Sequence, residues 1–600
     1  MTIKNIRKST VASFAGIVGS LLVVLGASPM AANAAPLGGS NASASFGVSQ
    51  FLMAAPAGIF RGMTMNQLAD GHTLLSYSQQ NQDTAVWQFK AVLLDPSGVA
   101  SEPIVIADNV WVANPGAHTM PTISKSSNGQ FFTTWVHETI GEALDTLEVL
   151  GSVSTDGVNF SAPFVVTTPI ANACAGQQQE RDGCGYVRLA QAIDGNGALS
   201  ATQALVNSGL IGDVGGPGAN TTVNVQTETG AVNKSFSAPV VLATLRDCYS
   251  MSETGFGAGF GITWGGYLTN GNFEFAATTN QKPAKNVWSA KHVLLGNENN
   301  VAEGVWQQRD AKTATVVFNS QINSPKIRVA DFDLAKGKWA KPVVLSTGGD
   351  SIVYQSVASA IDANGKVFVV WPTYNQTNAV SKILYATQAK GAKGSVVQEL
   401  YSQNGSVTNF QLLIAGGLPL ISYSAEGVGA VSRVIANGTF DEQKLVPTDS
   451  LTPAQASFAM LPNGDALAVT TSYDNNQDFF SAVPLKLSGA PVASVSALVA
   501  RSKVLAKPIK KSKQQLSITA TTWASYSGVT SQSVQWIRCS TQVQSAQVGL
   551  PFGCSEIAGA SGKTYLVGKA DKGFYLTYVA KASNAFGSNQ IVAVSTAAIK

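Results

Sequence analysis

The sequence predicts an all-β protein: a β-propeller of eight blades, with seven as the alternative, followed by a small β-sandwich. Three observations predict it. The chain of 600 residues carries only 12% charged residues and 57 glycines, a composition poor in helix formers and suited to short strands joined by polar turns. A turn followed by an apolar strand recurs through the body of the chain. A second element, often with Pro before an apolar triplet, follows each copy about 24 to 40 residues later.

The first 35 residues read as an export signal. Lys4, Arg7 and Lys8 form a basic start, Val11 to Ser28 is apolar, Pro29 breaks the run, and Ala32-Asn33-Ala34 supplies a small-x-small cleavage site before Ala35. Cleavage is expected over retention as an anchor. No other run is long enough to span a bilayer, and the end at Ala598-Ile599-Lys600 has no sorting tail. A secreted or extracellular protein is expected, held at the cell envelope, if at all, without a covalent anchor.

Residues 36–490 carry the repeat. The first element appears as Asp70-Gly71 before Thr73 to Tyr77, and as Asn128-Gly129 before Phe131 to Trp135. It recurs at Asn196-Gly197, Asn364-Gly365, Gly416-Gly417 and Asn463-Gly464, and more weakly near Gly259 and Ala311-Lys312. Asn-Gly and Asp-Gly pairs permit the positive φ angles of tight hairpin turns. The second element runs Ser101 to Ile106, Ser161 to Val166, Ser237 to Leu242, Ser289 to Leu294 and Ala340 to Leu345, with looser copies at Ser395 to Leu400 and Asp441 to Val446. Pro cannot donate a ladder hydrogen bond, so this element belongs on an outer edge strand. Seven units have both elements; an eighth, from about Ser457, has the first alone. An N-terminal strand around Phe46 to Ala54 would complete it and close a ring of four-stranded sheets, each unable to bury its faces alone.

Within this body Ser154-Thr155-Asp156-Gly157-Val158-Asn159-Phe160 resembles the Asp-box of sialidase-like propellers. The resemblance implies a structural hairpin, carried by Ser154, Asp156, Gly157 and Phe160, and no chemistry. Sialidases clamp a carboxylate with three arginines and use an Asp acid with a Tyr–Glu nucleophile pair. Phe60-Arg61-Gly62-Met63 is similar to their first arginine motif but lacks its Ile-Pro. By order alone, Arg246 and Arg309 would supply the other arginines, Asp70 or Asp83 the acid, and Tyr354 with Glu228 the nucleophile pair. The leading reading assigns no catalytic residue and no cofactor. It is a surface or secreted propeller with a binding or scaffolding role and an unidentified ligand site; a sialidase-like exo-glycoside hydrolase acting on surface glycans is the alternative.

Cys174 and Cys184 bracket a polar loop, and Cys539 and Cys554 lie close near the C-terminus. Both spacings allow disulfides in an oxidising compartment. Cys248 is either buried and free or the true partner of Cys174 or Cys184. His72, His118, His137 and His292 are scattered without metal-ligand spacing. Nucleotide-binding and Ser-hydrolase motifs are absent.

Residues 491–513 read as a basic linker, with six positive charges between Arg501 and Lys513. Residues 36–490 hold 24 basic and 33 acidic side chains, and residues 491–600 hold 12 and 2. The tail, not the body, therefore suits an anionic surface. A cell-wall polymer or glycan is the expected partner. Nucleic acid is not, since no aromatic residues interleave the charges, and a monomer is expected. Residues 514–600 hold a Trp536 strand, Asp571-Lys572-Gly573-Phe574-Tyr575 similar to a tyrosine corner, and Ala582-Ser583-Asn584-Ala585-Phe586-Gly587. With Gln535 to Cys539, Cys554 to Ala560 and Thr564-Tyr565, they resemble Ig-like repeats of Gram-positive actinobacterial surface proteins, which implies a spacer or adhesive role.

Overall fold

The computed structural model describes residues 44–599 apart from loops, the longer of which are 113–119, 140–145, 172–185, 209–221, 297–303, 446–452, 488–503 and 519–530. Among the described residues there is no α-helix, and the strands pair antiparallel throughout. No described helix is long and apolar enough to cross a membrane.

The body is a succession of meanders. The third sheet is typical: Tyr186–Ile193, Ala198–Ser208, Thr222–Ala231 and Val240–Leu245 pair in chain order. The fourth repeats it with Asp247–Phe256, Gly259–Tyr267, Phe273–Asn280 and His292–Gly296. The sequence elements fall into place on this pattern. Each turn-plus-apolar segment is the second strand, buried along its length, as in Thr313–Ser320 and Gly259–Tyr267. The Pro-containing segments are the outermost strands, such as Ile104–Val110 and Val343–Val344. There one Val of the triplet faces solvent, as do Val105, Val165, Val241 and Val344, and Val293 does the same in the proline-free copy.

The eighth sheet takes its outer strands from the other end of the chain. Pro453–Met460, Ala466–Asp474 and Gln477–Leu487 are followed by Ala44–Phe46 and Gln50–Pro56, which both pair with Gln477–Leu487. Phe46 lies opposite Leu485 and Met53 opposite Phe480.

Neighbouring sheets share apolar clusters in unbroken order. Leu74 and Phe89 meet Phe131 and Trp135 between the first and second sheets. Phe132 meets Ile193 and Leu199 between the second and third, and Val223 and Val225 meet Ile262 and Trp264 between the third and fourth. Phe275 packs with Phe318 and Phe332, Val317 with Trp371, and Tyr385 with Tyr423. Leu420 joins Ala466 and Val483, and Val469 and Ala482 join Leu75 and Val92 of the first sheet. Close backbone approach replaces side chains at two glycines of the third junction. A Cβ on Gly255 would lie 2.0 Å from the Ile193 carbonyl oxygen, and one on Gly195 2.7 Å from that of Gly257.

In the C-terminal part, Val504–Pro508, Gln514–Ile518 and Thr564–Leu566 form one sheet, and a second is built around Ser531–Cys539, Tyr575–Asn584 and Gly587–Val592. Val504–Pro508 falls inside the span read as a linker and pairs as a strand with Gln514–Ile518. Leu516 of one sheet and Trp536 of the other share a core with Tyr578 and Ile591. Cys539 and Cys554, direct partners on adjacent strands, are disulfide-bonded. Asp571 is fully buried and accepts hydrogen bonds from Arg538 (2.8 Å), the Tyr565 hydroxyl (2.9 Å) and the Gly568 amide (2.7 Å).

Candidate functional site

The innermost strands of the body begin at one end of their sheets and finish at the other. Arg188 and Cys248 lie near the starts of the innermost strands of the third and fourth sheets, and Arg188 Nε donates to the Cys248 carbonyl at 2.7 Å. Ile193 and Gly255 meet where the same strands finish. The strands therefore run side by side in the same direction, and a residue's position along its strand tells which end it occupies.

Arg246 lies at the starting end, immediately before Asp247–Phe256. Its amide donates to the Tyr267 carbonyl at 2.7 Å, and its guanidinium carbon sits 5.2 Å from the Tyr267 ring centre. The guanidinium Nε is shielded from solvent and has no hydrogen-bond partner among the described residues. Asp247, next in sequence, is buried. Burial raises its pKa, against the opposing pull of the Tyr249 hydroxyl, its own strand's Cys248 amide, and the charges of Arg188 and Arg246. Two guanidinium groups thus flank one poorly solvated carboxyl. Arg188 was not singled out by sequence, although Tyr186-Val187-Arg188 opens an innermost strand much as Phe60-Arg61 does.

Arg309 is at the finishing end, next to the last residue of Gly304–Asp310. It is buried, and each of its nitrogens is engaged: Nε to the Gly365 carbonyl at 2.6 Å, Nη1 to both Asp331 oxygens at 2.9 and 3.0 Å, and Nη2 to the Gln388 carbonyl at 2.7 Å. It ties the fifth sheet to the sixth. Arg246 and Arg309 are therefore not brought together. Asp70 also sits at the finishing end, in the first hairpin turn, where its Oδ1 accepts from the His72 amide. Asp83 lies in the exposed turn capped by Asn81.

Glu228 is buried within the third sheet, and burial pushes its pKa up to about 7 against a hydrogen bond from Gln203. Tyr354, Cys174 and Cys184 lie outside the described residues. Arg61 occupies the second position of Phe60–Gln67, paired with Ser78. Cys248 is free and buried, and burial raises its thiol to about 12. No group of His, Cys, Asp and Glu suited to a metal occurs among the described residues.

The Asp156 turn is fully engaged in itself. Ser154 Oγ donates to Asp156 at 2.8 Å and accepts from the Gly157 amide at 2.8 Å, and the Val158 and Asn159 amides donate to Asp156 at 2.8 Å each. Some burial raises the Asp156 pKa, but these bonds outweigh it and hold the carboxyl at about 2. Gly157 has φ +79°, and Phe160 packs on the cluster between the first two sheets.

No family model and no curated protein matches the sequence. Among solved structures the chain is similar to a polysaccharide lyase of an ulvan lyase family, at 10% identity and TM-score 0.33 over 64% of this chain and 97% of that one. A variant of the NanB sialidase from Streptococcus pneumoniae matches at 11% identity and TM-score 0.32, over 69% and 83%. A Hadza microbial sialidase matches at 11% and 0.31, over 56% and 70%. Likeness at this level fixes neither the fold nor an activity.

Proposed function

We propose that residues 44–487 close into an eight-bladed β-propeller of the sialidase-like, Asp-box kind that acts as a binding ring without catalysis. Residues 504–599 form an Ig-like sandwich that spaces or attaches a secreted, envelope-associated protein. Eight successive apolar clusters, the last returning to the first sheet, support the ring. The starting ends of its innermost strands then surround a central mouth.

One observation carries the binding reading. Arg188 and Arg246 both act on Asp247 at this mouth, and Arg246 Nε has no hydrogen-bond partner among the described residues. Such a cluster can hold an anionic group of a glycan or cell-wall polymer by charge-assisted hydrogen bonds. The hydrolase alternative needs Arg309 to join it, and Arg309 is engaged at the opposite end.

The test uses the full chain with isolated Gram-positive cell walls and, in parallel, a fluorogenic sialoside. Wall retention that drops at least about tenfold in Arg188→Ala with Arg246→Ala, a change of about 1.4 kcal/mol, with no sialoside turnover, is the expected result. Turnover abolished by Arg246→Ala would establish the hydrolase instead.

A further inference from the structure

We propose a second ligand site, independent of the mouth: a groove between the first and second sheets that takes a neutral glycan. The groove has a volume of about 630 Å³ and is walled by Trp87, Trp111, His137, Glu138, Asn109 and Ala85. That volume lies within the range of about 300 to 1,000 Å³ usual for small-molecule sites.

The groove arises from an irregularity in strand pairing. Ile104–Val110 follows Trp87–Leu94 through two register shifts, at Trp87/Phe89 and Phe89/Lys90. Its last residue, Val110, then pairs with His137 of the second sheet, and the Trp111 amide donates to the Val136 carbonyl at 2.8 Å. Among the described residues this is the one junction of the body where neighbouring sheets are spliced by strand pairing. The splice draws the outer strand of the first sheet across to its neighbour and opens the space between Trp87 and Trp111.

Backbone strain collects at the same place. Ala85 has φ 57° and Asn109 φ 52°, two of the four non-glycine residues with positive φ among those described. Left-handed backbone at such residues costs on the order of 1 kcal/mol or more, and it tends to persist where a site depends on it.

The chemistry of the walls fits a sugar. Trp87 and Trp111 are half-buried, so each has one face committed to the neighbouring core and area left for a ligand. An indole face matches the C–H face of a pyranose, and the hydroxyls around that face need donors and acceptors. Glu138, Asn109 and His137 supply them. His137 Nδ1 is shielded from solvent and lacks a hydrogen-bond partner among the described residues. Among the described residues no Lys or Arg lines the groove. Glu138 does, and Asp108, next to Asn109 in the chain, accepts from Gln88 at 2.6 Å. A carboxylate, sulfate or phosphate would meet like charge here, so the ligand class is neutral sugar, in contrast to the mouth.

The full chain is titrated with hexasaccharides of glucose, xylose and N-acetylglucosamine, and with sialyllactose as the anionic control, by calorimetry and by tryptophan emission. At least one neutral hexasaccharide is expected to bind with Kd below about 1 mM and to shift the emission. Trp111→Ala and Glu138→Gln should each weaken it about tenfold or more, with Arg246→Ala unchanged. Glu138→Gln keeps the side-chain volume, so it decides the matter if Trp111→Ala melts early. Binding of none of the neutral probes, or affinity unaltered in Glu138→Gln, overturns the proposal. So does binding of sialyllactose alone, abolished by Arg246→Ala, which would leave the mouth reading standing.

Discussion

At the scale of single residues, buried carboxyl groups of the third and fourth sheets contribute to how the body responds to pH, Glu253 being pushed up to about 8 by burial. Asp194 is 1% exposed, and burial pushes its pKa up to about 7 although the Ala198, Asn196 and Gly197 amides pull it down. Glu228 is raised to about 7 in the same sheet. A carboxyl whose pKa is higher in the folded than in the unfolded chain stabilises the fold most at low pH. That contribution is complete below the unfolded value near 4 and is lost as pH rises through 7; each tenfold difference in proton affinity between the two states is worth roughly 1.4 kcal/mol. Thermal melts should therefore show a higher Tm at pH 5 than at pH 8. Asp194→Asn keeps an oxygen for the turn amides, which donate at 2.8 and 2.9 Å, and removes the titration. It should flatten this slope, most clearly when combined with Glu228→Gln. A slope unchanged in the double variant would show that these groups are ionised in the folded chain.

At the scale of elements, periodicity was the legible signal, and partner choice was not. Asn-Gly and Asp-Gly turns located second strands because Gly129, Gly197 and Gly365 have positive φ, a demand visible in residue type. The Pro rule located outer strands for a similar local reason. Val504–Pro508 is hidden in sequence because it sits within the run of positive charges from Arg501 to Lys513 that reads as linker, while its pairing with Gln514–Ile518 is a tertiary fact. The Arg188–Arg246–Asp247 cluster is only half legible in sequence, since it joins residues from two sheets, and nothing in residue type distinguishes Arg309, whose partners are tertiary. The pairing of the N-terminal strands with the eighth sheet yields a prediction. Gln477–Leu487 would be an exposed edge without the N-terminal strands, with Leu52 and Met53 removed from the cluster shared by the eighth and first sheets. Deleting residues 36–56 should lower the body's Tm by about 5 °C or more and produce oligomers in light scattering through the freed edge. An unaltered melt and a monomeric product would mean that the N-terminal strands contribute little to holding the eighth sheet.

At the scale of the whole molecule, charge separates the two halves. The body carries an excess of acidic side chains and residues 491–600 an excess of basic ones, so long-range attraction of an anionic polymer would act through the tail, beside any local contact at the body's arginines. The structure changes how this must be tested. Lys507 lies in a strand paired with Gln514–Ile518, which in turn carries Leu516 into the Trp536 core. Deleting Arg501 to Lys513 would damage the sandwich along with the charge. Replacing Arg501, Lys503, Lys507, Lys510, Lys511 and Lys513 by Gln removes only the charge. Retention of the full chain on isolated cell walls should then fall at low salt. Raising salt from about 0.01 to 0.15 M, which shortens the screening length from about 30 to 8 Å, should bring the unaltered chain down to the level of the variant. If the two already bind alike at low salt, attachment rests on the folded surfaces, and the basic stretch acts as a solvated connection between them.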